Sequence, residues 1–230
     1  MNILITGTSR GIGADLADHF LTMGHSVMGC SRSNAPFQHS NYRHSLLDVR
    51  DEQAVIEWVK DIKTQMGTLD VLIANAGKVY ASSLMAVTNT DSALRTIEVS
   101  LGGTYIVCKE VARMMMRQKY GRIVTVSSMT VPLHAIGTSA YSAAKAGIEE
   151  LTKIMAKEFA PYNITVNCIA PSIYDGGGSS AYRLDSELHD KILKTLVIQR
   201  PITLQELTSA IDLFVENGAL TGQVLRFGTV

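Results

Sequence analysis

Short apolar runs alternate with longer segments whose apolar residues recur at helical spacing. Asn2, Ile3, Leu4, Ile5 and Thr6 form the first run, which breaks at Gly7. Leu16, Ala17 and Phe20 then put an apolar face on a helix over 14–23. Further runs at 25–30, 45–49, 69–74, 121–126, 164–169 and 222–227 read as strands. Between them, 54–66 carries one stripe (Ala54, Val55, Trp58, Val59, Ile62, Met66), with Asp51 placed to cap it. Segments 88–99, 103–119, 139–159, 183–196 and 204–216 also read as helices, the third stopping near Pro161. Strand and helix alternate without repeats or a linker. That order predicts one doubly wound α/β domain over 1–230, with a parallel sheet of about seven strands. The Gly- and Ser-rich stretch after Pro171 reads as loop, and 171–202 as a lid region near the substrate.

Composition narrows the class. Apolar residues make up 46% of the 230 and charged residues 18%, which is globular. A formal net charge of +0 gives no electrostatic case for nucleic acid or a membrane surface. Cys30, Cys108 and Cys168 are odd in number and lack metal-type spacing, so buried free thiols in a reducing compartment are expected, with no metal. Neither a signal peptide nor a membrane-spanning run is indicated, and a soluble cytoplasmic protein is expected.

Candidate chemistry gathers at strand ends. Thr6-Gly7-Thr8-Ser9-Arg10-Gly11-Ile12-Gly13 lies between a strand and a helix. Glycines there allow a tight turn and close ligand approach, and the helix N-terminus offers N–H groups to a pyrophosphate. The spacing is not the general GxGxxG pattern. No Asp or Glu lies between Asp18 and Asp48, where a carboxylate for the ribose diol would stand. Ser31-Arg32 takes that place, and Arg10 sits inside the turn. Two guanidinium groups suit a 2′-phosphate, which favours NADP(H) over NAD(H). Tyr141 and Lys145 are four residues apart, hence on one face of a helix, and Ser128 precedes them at the end of a strand.

These motifs, in this order, resemble the short-chain dehydrogenase/reductase family, a Rossmann-like fold, and are most similar to its 3-oxoacyl-[acyl-carrier-protein] reductases. The resemblance rests on the glycine turn, Leu47-Asp48-Val49, Asn75-Ala76-Gly77, Gly121-Arg122-Ile123-Val124 leading to Ser128, Tyr141 to Gly147, and Ile164 to Asn167 with Ala170-Pro171. It implies that Tyr141 exchanges a proton with the substrate oxygen and that Ser128 holds that oxygen. Lys145 would favour tyrosinate and bond the nicotinamide ribose. Gly7 to Gly13 (Thr8, Ser9, Arg10, Gly11 and Ile12 included) and Arg32 would bind the cofactor's phosphates. Asp48 and Val49 would contact adenine, Asn75, Ala76 and Gly77 would line the adenosine ribose, and Pro171 and Tyr174 would meet the nicotinamide. A small carbonyl or alcohol substrate, free or carrier-bound, and a homodimer or homotetramer are implied.

Two departures stand out. Val99-Ser100-Leu101-Gly102-Gly103 has Ser100 where the family usually has an Asn that holds a water in a proton relay. Ser100 is therefore carried as a catalytic candidate, with Gly102 and Gly103 expected to loosen the helix beside it. Pro171-Ser172-Ile173-Tyr174-Asp175-Gly176 replaces the family's Pro-Gly-x-Ile/Val-x-Thr. His134, between Ser128 and Tyr141, is a further pocket candidate. The competing classes are a cofactor-binding protein with weak or no catalysis, and a biosynthetic enzyme acting on a sugar or polyketide-like intermediate.

Overall fold

The inner strands of the sheet are mostly apolar on both sides because helices cover both faces. The computed structural model describes residues 1–79, 83–176 and 186–228, with side chains at 186–189 excepted. The strands are β1 (Asn2–Thr6), β2 (Ser26–Ser31), β3 (Tyr42–Leu46), β4 (Val71–Ala74), β5 (Gly121–Val126), β6 (Ile164–Ala170) and β7 (Val224–Arg226). They form one sheet in the order β3-β2-β1-β4-β5-β6-β7, with every neighbouring pair parallel. The helices are α1 (Gly11–Thr22), α2 (Glu52–Met66), α3 (Thr90–Ile97), α4 (Gly103–Gln118), α5 (Thr130–Leu133), α6 (Ser139–Phe159), α7 (Ser186–Leu193) and α8 (Leu204–Glu216).

Successive strand residues point to opposite faces, and the core divides accordingly. Leu4, Met28, Leu72 and Ile123 pack under α2, α4 and α6 through Val55, Trp58, Val107, Val111 and Met155. Ile3, Ile5, Val71, Ile73 and Val124 face α1 and α8 through Leu16, Phe20, Leu207, Ile211 and Phe214. Each fully buried Leu or Ile contributes about 1.5–3 kcal/mol relative to exposure. Cys30, Cys108 and Cys168 are buried free thiols. Among the described residues no helix is long and apolar enough to cross a membrane.

The strand order reverses at β1. From β1 the chain steps outward to β2 and β3, then returns to place β4 on β1's other side. A crevice opens at that switch point, outside the C-terminal ends of β1 and β4. Both the glycine turn and Asn75 sit there.

Three local features differ from the sequence reading. The third strand is Tyr42–Leu46, not 45–49. Leu47 and Val49 are buried beyond the strand's end, in the turn that leads to α2, so their apolar character reflects packing and not pairing. Val49 sits against Gly103, where a Cβ would strike its side chain. The expected loosening near Gly102 is a π-helical turn, Glu98–Gly102, joining α3 to α4. α7 begins at Ser186, so the start of the helix expected over 183–196 lies outside the described residues, as do positions 177–185 of the expected lid.

Candidate active site

The glycine turn is built by sterics. Gly7 and Gly11 have φ of 81° and 59°, in the left-handed region that glycine adopts freely. A Cβ on Gly13 would run into the Gly7 carbonyl and the Asn75 side chain. Thr6 fastens the turn across the crevice. Its Oγ1 accepts from Asn75 N (3.0 Å) and Ala76 N (2.9 Å), and its carbonyl accepts from Asn75 Nδ2 (2.9 Å). On the other side, Gly7 N donates to Cys30 O at 2.7 Å, which draws the end of β2 against the turn.

The N-termini of three helices differ in a telling way. Asp51 caps α2 through Ala54 N, and α8 has a full capping box between Thr203 and Glu206. α1 begins at Arg10 with no side-chain cap and no acidic residue in its first turn. Among the described residues no side-chain cap takes those first-turn N–H groups, which are the donor set a pyrophosphate takes.

At the adenosine end, Ser31 closes β2 and Arg32 follows it. Asp48 is engaged by Arg50, whose Nη2 lies 2.8 Å from Oδ2. Bonding from Arg50, with a further contribution from the charge of Arg32, holds the Asp48 carboxyl below its ordinary range.

The opposite end of the crevice is set by β5 and α6. β5 delivers Ser127 and Ser128 at its C-terminal end, where Ser128 Oγ accepts from Thr130 N at 3.2 Å. Met129 N bonds Pro171 O at 3.0 Å, tying this loop to the end of β6. Ser142 Oγ donates to Thr130 O at 3.3 Å, which fixes the start of α6 and hence Tyr141. His134 takes a left-handed backbone conformation (φ 47°) that closes α5.

Lys145, one turn beyond Tyr141, is 3% exposed. Its Nζ lies 5.5 Å from the Tyr141 ring centroid and donates to Val126 O at 2.6 Å. Burial lowers its pKa from 10.5 to about 8. Ser100 lies on the π turn, fully buried, and its Oγ has no hydrogen-bond partner among the described residues. Gly77 joins the two: a Cβ there would sit 3.4 Å from both Lys145 Nζ and Ser100 Oγ. The structure thus collects Ser128, Tyr141, Lys145 and Ser100 at one end of the crevice and the glycine turn at its middle. Tyr174, three residues past Pro171, is tied to α1, its hydroxyl donating to Asp15 Oδ2 at 2.8 Å.

Sequence reasoning named Thr6 in the glycine turn but not its bonds to Asn75 and Ala76, and it missed Asp15 and Glu149. Glu149 is buried one turn past Lys145, accepting from Ser127 Oγ (2.9 Å) and pairing with Arg226 Nη2 (2.6 Å). Glu149 at four residues past a site Lys was a visible signal, but its partner on β7 was not.

The family model for short chain dehydrogenases matches residues 1–186. A 3-oxoacyl-[acyl-carrier-protein] reductase of Salmonella typhimurium is 30% identical over 231 residues, covering 97% of this chain and 93% of the relative. This chain belongs to the short-chain dehydrogenase family. The corresponding reductase of Chlamydia muridarum is 32% identical over 234 residues, with 96% and 93% covered. Among solved structures, ElxO with NADP bound superposes with a TM-score of 0.89 at 30% identity, over 98% of this chain and 96% of that one. NAD+-bound xylitol dehydrogenase, at 23% identity, shares the fold with a TM-score of 0.87 over 100% and 98%. This short-chain dehydrogenase is thus an oxidoreductase of the family that interconverts carbonyl and hydroxyl groups.

Proposed function

We propose that the protein is an NADP(H)-dependent reductase of a carbonyl compound, with a 3-oxoacyl thioester or a ketone of similar shape as substrate. The observation that carries this reading is the buried, lightly bonded amine of Lys145 beside Tyr141, at the strand ends where Ser128 also lies. The crevice fits a dinucleotide: Gly13 leaves no room for a side chain, α1 presents uncapped N–H groups, and Ser100 Oγ is a buried atom awaiting a partner. Gly7 to Gly13 would hold the pyrophosphate, Arg10 and Arg32 the 2′-phosphate, Asp48 and Val49 the adenine, Asn75 to Gly77 the adenosine ribose, and Lys145 the nicotinamide ribose. When bound, the cofactor supplies the hydride.

The protein's own residues handle orientation and the proton. Ser128 donates a hydrogen bond to the substrate oxygen, and Tyr141 gives that oxygen its proton. A phenol's ordinary pKa is about 10, so donation at neutral pH leaves a tyrosinate that needs a nearby cation. Lys145 is that cation. With its pKa lowered to about 8 it also passes a proton on readily. Ser100 and a water held between it and Lys145, beside Gly77, would refill that proton. Pro171 and Tyr174 would set the nicotinamide end of the crevice, with Tyr174 held to α1 by Asp15. The relatives named as 3-oxoacyl-[acyl-carrier-protein] reductases support the thioester, and NADP-bound ElxO supports the cofactor. Exposed Tyr105 on α4 and Ile154 on α6 support pairing of these helices in a homodimer or homotetramer.

The test is steady-state turnover of 3-oxoacyl thioesters and simple ketones with NADPH and with NADH. The reading expects turnover with NADPH preferred by at least tenfold, roughly the worth of one charge-assisted contact. NADH preference would remove the argument from Arg10 and Arg32. Tight NADPH binding with no turnover on any compound would remove the carbonyl assignment.

A further inference from the structure

At the adenosine end of the crevice one imidazole ties the glycine turn to the corner that follows β2. Gly29 is what lets the parts meet, because a Cβ there would strike both Thr8 and the Tyr42 hydroxyl. Tyr42 OH donates to Thr8 Oγ1 at 2.8 Å. His44 Nδ1 lies 2.8 Å from that phenol oxygen and 3.4 Å from Thr8 Oγ1. Its Nε2 lies 3.2 Å from Ser31 Oγ and 3.0 Å from Ser33 O. Ser31 Oγ itself donates to Ser33 O at 2.6 Å.

The protons decide what this arrangement does. Ser33 O is a pure acceptor, so its contact with His44 requires a proton on Nε2. That carbonyl therefore has two donors, the imidazole and the Ser31 hydroxyl. Ser31 has a single proton and spends it on Ser33 O. If an anion arrived beside Arg32, the Ser31 hydroxyl could turn to it without stranding the carbonyl, because Nε2–H stays in place. Ser33 is exposed, so without His44 the same turn would leave its carbonyl to water alone among the described partners, with its negative end near the anion. The corner has room to adjust, since Tyr42 and His44 border a cavity of about 250 Å³ that Asn34, Phe37 and Gln38 also line.

We propose that His44 is a positioning residue for cofactor selection: it frees the Ser31 hydroxyl to bond the ribose 2′-phosphate. This rests on the NADP(H) reading. The test separates the two by calorimetric titration of the whole protein with 2′,5′-ADP and with 5′-AMP, which differ only in the 2′-phosphate. Wild type should bind 2′,5′-ADP more tightly; equal affinities would overturn the NADP(H) reading and this inference with it. Given that preference, His44→Ala should cut it roughly tenfold, the scale of one hydrogen bond to a charged group, while 5′-AMP affinity holds. His44→Gln, whose amide can still donate to Ser33 O, should recover part of the loss. Ser31→Ala should match His44→Ala, and the double variant should be no worse than either. A preference unchanged in His44→Ala, or an equal loss for both ligands, would overturn the inference and leave NADP(H) selection standing. Should His44→Ala not fold, His44→Gln and Ser31→Ala decide on the same ratio, and full preference in Ser31→Ala overturns the inference.

Discussion

Two turns of the same helix handle a buried charge in opposite ways. At Glu149 both carboxylate oxygens are engaged: Ser127 donates to one and Arg226 to the other. One turn earlier, among the described residues, the Lys145 amine has Val126 O as its one hydrogen-bond acceptor and the Tyr141 ring nearby. An ammonium has three donors, so the site leaves capacity unused where chemistry would use it. The fold fills a charge it needs for cohesion and leaves open one it needs for reaction. Ser100, its hydroxyl unpartnered among the described residues and across Gly77, belongs to the same open region.

The contrast breaks most sharply on exchange of the two residues. Lys145→Met should lower turnover by about a thousandfold, within the usual range for acid–base groups, while the protein stays folded. Glu149→Gln should leave turnover within about threefold but cost stability. Arg226 is partly exposed, so the loss is about 1–2 kcal/mol, roughly 3–6 °C in Tm by thermal melting. A folded Lys145→Met with near-normal turnover, or a Glu149→Gln as inactive as it, would erase the distinction.

A subtler effect appears in the pH dependence of stability. Lys145 has a folded value of about 8 against 10.5. Between those values the unfolded chain binds more protons than the folded one, so this group makes stability rise with pH across the window. The penalty for burying the charged amine is full below about pH 8 and gone above 10.5. Lys145→Met should therefore melt higher than wild type at pH 7, and the gap should close as the pH approaches 10. A gap that does not change with pH would mean the amine is not desolvated.

Ser100 sharpens the comparison further. Ser100→Ala removes an unsatisfied buried hydroxyl, so Tm should hold or rise, yet turnover should fall roughly tenfold as the relay is lost. Ser100→Asn should turn over as fast as wild type or faster. A large loss in Ser100→Asn would show that the hydroxyl has another role. The smallest effect is expected at Tyr174→Phe, which gives up the bond to Asp15. It should shift Tm by about 2–4 °C, the worth of one hydrogen bond of about 1 kcal/mol.

Most of the architecture was legible because strand and helix periods differ and the glycine turn sits between a strand and a helix. β1, β4, β5 and α6 lie within a residue or two of where periodicity put them. β3 was misplaced because Leu46, Leu47 and Val49 look like a strand, whereas Leu47 and Val49 pack beyond it. Tyr42, inside β3, is buried in part through a polar bond to Thr8, which no hydrophobic pattern signals. Ser128, Tyr141 and Lys145 were legible through the family resemblance that the motifs carry together, since the Tyr-to-Lys spacing alone only puts two side chains on one helix face. The partners that define their surroundings were not: Arg226 lies 77 residues from Glu149, and Asp15 lies 159 from Tyr174. Such pairs exist only once the sheet order is set.

The most direct measurement is the rate of NADPH oxidation by wild type and Tyr141→Phe on the best carbonyl substrate, with NADPH affinity measured in the same samples. The account predicts that Tyr141→Phe binds NADPH within about threefold of wild type and loses turnover by about a thousandfold. Turnover within about tenfold of wild type would contradict it, because the proton would then come from elsewhere than the phenol beside Lys145.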